Sequence, residues 1–460
     1  MSGATLRDPV AVPWPVSPWA ACGLCRPARG IDASLRGAAR FRVLAHRALD
    51  ECLEGRGPKP GAPLIVASCN GCADGFDEAN WRAAFDTTAL LAGTPWTDRP
   101  VPVVSASCAS GLQALFLAAR LLEAGHEDVV VLAADILSPA NHDNFEALRV
   151  LTPEPTLPWQ STSEGFISGE AAVALLLTQN DTADAMTLID GPRLSQDVAE
   201  RDGLRQALGS VAHPRPALVI GQGTGPASVD AAELDALRGS IASDVPLTTP
   251  LWHFGHTNGA SGLLSVALAA LARRDATLPP ALSMPTDAAT DGRPLARKAI
   301  IDDDIVVACR ALGGACAATR ITRNASPRTP STNTWQSTGE VGPLMHPLLR
   351  QIAADAVAHR PVAPPDVLVV RLETPLMPPP NAQIGGRLLP SAILEITPGF
   401  VAQLIARRWG FTGAALCLVG DARIDAAAMQ LIQACQESGL TVSLVALHRH
   451  GDHYQVNWNG

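Results

Sequence analysis

Residues 101–135 read VPVVSASCASGLQALFLAARLLEAGHEDVVVLAAD. The run opens with an apolar strand over Val101 to Ser105 and passes through small residues. It continues as Ala109 to Ala124, whose apolar side chains recur at three and four residues as a buried helix requires. Gly125 stops that helix, and Asp128 to Ala134 is again a continuous apolar, Val-rich run. Strand, helix and strand without polar alternation predict a β-α-β crossover in a parallel sheet covered on both faces.

Working outward, Leu35 to Glu54 has the period of an amphipathic helix, and Ala62 to Ser68 reads as a buried strand followed by a Gly-containing loop. Ala171 to Leu177, Ala217 to Ile220 and Ile305 to Ala308 supply further strands, and Ser261 to Ala272 a helix of small and apolar residues. From Asn324 to Gly342 the chain turns to Ser, Thr, Pro and Asn without periodicity, as a linker does. The expected organisation is therefore a domain over 1–323, a linker over 324–342 and a C-terminal α/β segment over 343–460.

Composition narrows the function classes. In 460 residues, 47% are hydrophobic and 17% charged, too apolar for disorder, and no uncharged apolar run is long enough to span a bilayer. With 44 acidic residues against 35 basic, the net charge of −9 argues against an electrostatic grip on nucleic acid. The first sixteen residues carry prolines in place of a basic stretch and an apolar core, so no secretory signal is expected and the cytoplasm is the default. Ten cysteines in such a chain are expected as thiols, a metal site or a nucleophile rather than a disulfide framework.

Cys108 stands where the strand ends and the helix begins, in Ser105-Ala106-Ser107-Cys108-Ala109-Ser110-Gly111. A thiol there faces unpaired backbone N–H groups, which are expected to lower its pKa towards neutrality and favour the thiolate. The small neighbours let a carbonyl approach the backbone, so the N–H of Cys108 can serve as an oxyanion donor. The competing reading is a small buried hydrophobe.

The rest of the chain bears on that choice. SCASG with its helix and the DVVVLAAD strand, Phe145, and Glu164-Gly165-Phe166-Ile167-Ser168-Gly169-Glu170-Ala171-Ala172 resemble, in order, the nucleophile motif and the DGFxxGEGA signature of the β-ketoacyl synthases of the thiolase superfamily. Gln222-Gly223-Thr224-Gly225-Pro226 with Asp230 and Glu233 resembles HGTGT…D..E. Gly255 to Gly262 resembles GHxxGAAG, and Leu312-Gly313-Gly314-Ala315 the closing GFGG loop. The resemblance runs from about Leu35 to Arg323. It implies a thiolase-like αβαβα five-layer fold of two βαβ-rich halves, to which the C-terminal α/β segment is added, and a dimer. It also implies an acyl chain carried on Cys108, delivered as a phosphopantetheine thioester on an acyl carrier protein, with no bound cofactor or metal. His256 would be the catalytic imidazole, and the N–H of Leu312 the second oxyanion donor, with Gly313 and Phe145 beside the substrate tunnel.

Departures from the family pattern bear on mechanism. Gln222 stands where elongating enzymes carry a histidine; an amide can donate a hydrogen bond but cannot take a proton at neutral pH. Leu251 replaces a lysine, and Arg310 and Leu312 replace two gating phenylalanines. The trio Cys108, Gln222, His256 has the polarity of a thiolase site, yet Ala311 stands where a thiolase has its second cysteine, and Cys309 and Cys316 are read as core cysteines.

Cys22-Gly-Leu-Cys25 and Cys69-Asn-Gly-Cys72 have zinc-like spacing, but 43 residues separate them and the second pair follows a core strand, so unligated thiols are expected. His253 and the run His448 to His453 are read as satisfied or solvated histidines, and Gly221 to Gly225 as part of the family motif rather than a dinucleotide loop. Leu416 to Val445 can be laid on the chain from Pro102 by equating Gly439 with Gly125, which puts Ala422 in the place of Cys108. The segment reads either as a degenerate ketosynthase-like half or as an unrelated appendage. Two functions follow: a condensing enzyme of fatty acid or polyketide biosynthesis, or a weakly catalytic chain-length-factor-like partner in a heterodimer. An acyltransferase that does not decarboxylate is the catalytic variant.

Overall fold

The computed structural model describes residues 12–13, 24–54, 58–59, 61–153, 157–179, 188–198, 202–285, 290, 292–297, 303–322, 343–379, 382–384, 387–450 and 453–459. The linker expected over 324–342 lies outside the described residues.

The first unit comprises α1 (Gly37–Leu53), β1 (Leu64–Ala67), β2 (Val103–Val104), α2 (Ser110–Glu123), β3 (Asp128–Asp135) and β4 (Ala171–Thr178). β1 lies between β2 and β3, parallel to both, and β4 closes on β3 antiparallel. β2 is shorter than its apolar run; the N–H of Ser105 makes a last bond across to Cys417 O at 3.0 Å before the chain turns into α2. The second unit comprises β5 (Leu188–Gln196), α3 (Gly203–Leu208), β6 (Leu218–Ile220), α4 (Ala227–Ser240), β7 (Leu247–Thr248), α5 (Ser261–Asp275), β8 (Ile305–Arg310) and β9 (Ala315–Thr322). Its sheet, in the order β7-β6-β8-β9-β5, has the same central parallel trio and antiparallel neighbour.

Apart from a two-stranded ladder of Gln383–Ile384 with Arg387–Leu388, the described strands of residues 343–460 form no sheet of their own. The segment contributes α6 (Pro347–Ala358), β10 (Val367–Leu372), α7 (Gly399–Trp409), β11 (Ala414–Val419), α8 (Asp425–Glu437), β12 (Val442–His450) and β13 (His453–Asn459). These strands continue the first sheet, which runs β13-β12-β10-β11-β2-β1-β3-β4. His448, His450 and His453 of the histidine-rich run lie on the paired strands β12 and β13 at its edge.

Alternation along the strands makes the layers, because successive side chains point to opposite faces. On β3, Val129, Val131 and Ala133 enter the core that α2, α5 and α8 share between the sheets, while Val130, Leu132 and Ala134 enter the outer core with α1, α6 and α7. The far face of the second sheet packs on α3 and α4. Helix, sheet, helix, sheet and helix layers result, the five-layer thiolase-like fold.

Buried carboxylates lock the connections. Asp135, at the end of β3, accepts hydrogen bonds from the Ser68 hydroxyl and from the backbone N–H groups of Cys69, Asn70 and Gly259. Glu170 takes the Arg40 guanidinium in a bidentate pair and also the N–H groups of Ala28 and Leu137. These bonds tie loops of both units to fixed places, which a neutral apolar core could not do.

Candidate active site

α2 and α5 cross so closely that a Cβ on Gly111 would lie 2.9 Å from Leu263 N, and one on Gly262 2.8 Å from Leu112 Cγ. Only hydrogen fits at the crossing. That contact brings the loop before α5 onto the turn before α2, and with it His256 onto Cys108: Sγ and Nε2 are 3.1 Å apart. The turn itself holds Ser107 at φ 52°, an uncommon conformation for a non-glycine residue, fixed by Ser110 Oγ, which donates to Ser107 O and accepts from Ala106 N–H.

The backbone N–H groups of Cys108 and Leu312, together with the Gln222 side chain, reach the sulfur and favour its ionised form. Burial outweighs them and pushes the Cys108 thiol up to about 12. This corrects the expectation of a pKa lowered towards neutrality: the thiol is 6% exposed and stands outside the first turn of α2, so desolvation exceeds the helix-end contribution. The rings of Phe145 and Phe166 close on His256, with centroids at 5.8 and 4.5 Å, and burial pushes its imidazole down to about 4. At neutral pH the resting pair is therefore a protonated thiol 3.1 Å from Nε2 of a neutral imidazole.

Gln222 is oriented by its neighbours. Its Oε1 accepts from the N–H of Arg310 at 3.0 Å and from the Cys309 thiol at 3.7 Å. Nε2 is then the atom left to donate, and it is the one that faces the Cys108 sulfur. The backbone of Gln222 is in turn held by Glu233, which accepts from the N–H groups of Gln222 and Gly223 and from the Trp159 indole. Asp230 accepts from Trp159 N–H and Gly225 N–H; burial and the Glu233 charge push it up to about 7. Leu251, in the lysine place, lines a pocket of about 320 Å³, open mouth included, with Gln222 and Cys309. Arg310 pairs with Asp197 at 2.7 Å, which anchors the position of one gating phenylalanine.

Gly313 turns at φ 95°, and Gln403 Oε1 on α7 lies 1.9 Å from where its Cβ would be; Arg407 Nη2 donates to Gly313 O at 3.3 Å. Sequence reasoning missed Gln403 and Arg407, which lie far along the chain with no local motif. It also gave no role to Asp135 or Phe166, although an acid ending an apolar strand is a readable signal. Cys309 and Cys316 are buried. Of the two C-x-x-C pairs, Cys25 lies in a strand opposite Ser168, Cys69 N–H is bound to Asp135, and the Cys72 thiol lies 3.8 Å from Ala83 O. Cys22 lies outside the described residues, and among the described residues no group of three or more metal-ligating side chains occurs.

The profile described as "Beta-ketoacyl synthase, N-terminal domain" matches residues 99–183, and "Beta-ketoacyl synthase, C-terminal domain" matches 193–284. Residues 99–183 and 193–284 are thus similar to the two domains of the β-ketoacyl synthases, in a divergent form. Among curated relatives of this ketosynthase-like chain, the Spectinabilin polyketide synthase system protein NorC of Streptomyces orinoci is 30% identical over 210 residues, covering 40% of this chain and 9% of that protein. The Tetracenomycin polyketide synthase ketoacyl synthase alpha subunit of Streptomyces glaucescens is 26% identical over 228 residues, covering 43% of this chain and 54% of its own length. The chain thus spans about a tenth of the first relative and about half of the second. Among solved structures, the PfaC Keto synthase-Chain length factor matches with TM-score 0.71 at 12% identity, covering 93% of this chain and 68% of that one. A Beta-ketoacyl synthase from Burkholderia phymatum matches with TM-score 0.57 at 18% identity, covering 69% of this chain and 93% of that one. At such identities the likeness is one of fold. No described helix is long and apolar enough to cross a membrane.

Proposed function

We propose that the chain is a ketosynthase-like condensing enzyme of polyketide biosynthesis that carries an acyl group on Cys108. The observation that carries this reading is the Cys108–His256 contact with the N–H groups of Cys108 and Leu312 on the sulfur. His256 takes the thiol proton as the sulfur attacks the incoming thioester carbonyl. The two N–H groups then hold the tetrahedral oxyanion, the carrier thiolate leaves, and His256 returns the proton to it. A malonyl-type thioester would next lose CO₂. The resulting enolate attacks the acyl carbonyl to form the new carbon–carbon bond, the bond to Cys108 breaks, and the Cys108 thiolate takes a proton from solvent, which restores the thiol beside the neutral His256. Gln222 supports thioester carbonyls through Nε2 and supplies no proton. That observation favours a second reading, acyl transfer without decarboxylation. The partner that would deliver the acyl group is an acyl carrier protein.

Incubation with acyl- and malonyl-carrier proteins, followed by intact-protein mass spectrometry and peptide mapping, tests both readings. One acyl group on Cys108, absent from Cys108→Ala, is the expected result. An unmodified protein, or an adduct on another cysteine, would overturn the assignment. Loading without release of CO₂ would leave the transfer reading alone.

A further inference from the structure

The three units share one plan. In each, a central strand is flanked by two parallel neighbours, and an antiparallel strand follows: β2-β1-β3-β4, β7-β6-β8-β9 and β11-β10-β12-β13. In each, the long helix between the first and third strands of these orders faces the middle layer: α2, α5 and α8. The first and third units are also related by a fixed offset. Equating Gly439 with Gly125, both at positive φ after a helix, sets it at 314 residues. The β2–β11 ladder supplies the same number independently, because Val104 pairs with Leu418, 314 residues on. A residue that pairs antiparallel with its own equivalent lies on a two-fold axis, which is how two like subunits join sheets edge to edge. The flanking contacts obey the same axis: Val103 pairs with Val419, and Ser105 N–H donates to Cys417 O.

We infer that residues 343–460 are a third copy of the half-unit that takes, within the same chain, the place of a second subunit against β2. The edge of β2 is therefore already paired and is not offered to another chain. A lone synthase accounts for about two thirds of this chain, and the paired Keto synthase-Chain length factor structure for nearly all of it, as a built-in partner half requires. The copy is one-sided. On the 314-residue offset the place of Cys108 is held by Ala422, exposed before α8, so this copy carries no thiol at that place. What the copy contributes instead is α7, whose Gln403 and Arg407 hold the Gly313 turn, and whose Gly399 lies so near the nucleophile turn that a Cβ would be 2.5 Å from Ser105 O.

Cross-linking tests the placement without disturbing the core. Glu123, at the end of α2, is hydrogen-bonded to Ser438, at the end of α8; Glu123 is exposed and Ser438 half-buried, while the described native cysteines other than Cys52 are buried. Glu123→Cys/Ser438→Cys is treated with a short bismaleimide at low protein concentration and run on a denaturing gel, with each single variant as control. The expected result is a linked 123–438 peptide pair at the mass of one chain. A covalent dimer joined by that pair would show that the third copy pairs with a second molecule, and absence of the link would show that α2 and α8 are not neighbours; either overturns the inference. Acyl loading of Cys108, measured in the same sample, reports separately on the proposed chemistry.

Discussion

Cys108 and His256 share a problem of burial. Each is neutral at pH 7 because its charged form is desolvated, so in the proposed reaction the pair passes a proton rather than storing a thiolate. The neutral imidazole is the base, and its pKa of about 4 sets the acid limb of Cys108 loading there, against about 6.5 for an unperturbed histidine. Loading rates should stay level as pH falls from 8 to about 5 and drop below that. In Phe166→Ala, which opens the imidazole to water, the limb should move up towards 6.5. A wild-type limb near 6.5 in single-turnover loading assays would contradict the buried-histidine account. At Gln222, a protonatable imidazole is absent, and general acid–base groups typically contribute about 10²–10⁴-fold to a rate. Gln222→His should raise decarboxylation of malonyl-carrier protein by about 10²-fold or more while leaving loading nearly unchanged. An equal change in both steps would show that the amide serves acylation instead.

At the scale of elements, the site depends on where loops are pinned. Asp135 gathers one hydroxyl and three backbone N–H groups from the loop after β1 and the turn before α5. Removing the carboxylate leaves several buried donors unpaired, each costing about 1–3 kcal/mol. Asp135→Ala should therefore lower stability by about 3 kcal/mol or more, read as a fall in the urea midpoint with an unchanged slope. A loss under about 1 kcal/mol would mean that water replaces the carboxylate without penalty. The α2–α5 crossing makes the same point without charge: Gly111 and Gly262 matter because two backbones must nearly touch for Sγ to reach Nε2.

For the whole molecule, the first sheet is continuous across the 343–460 segment, and its outer core mixes Phe41, Leu64 and Val130 with Ile352, Val370 and Trp409. Deleting residues 343–460 would uncover that apolar face and leave the β2 edge unpaired, the condition under which strands recruit other chains. The shortened protein is expected to elute as aggregates or to bind a hydrophobic dye strongly. A monodisperse short form that still loads an acyl group on Cys108 would show that the first two units suffice.

What the sequence by itself determined was whatever is encoded locally or by pattern. The β-α-β run at 101–135 is legible because buried strands and helices differ in period and are punctuated by Gly125. Cys108, His256 and Gln222 are legible because each sits in a short motif whose order survives in the chain. The repeat at Leu416 to Val445 was visible as an alignment, but its meaning was not. Only the tertiary structure decided that Val104 meets Leu418, since a strand's edge partner is not written in its own periodicity. It also decided that Gln403 and Arg407 brace Gly313 from a helix beyond the linker, and that Cys108 is protonated rather than a ready thiolate. A pKa is set by everything that excludes water from the group, and those residues come from the whole chain.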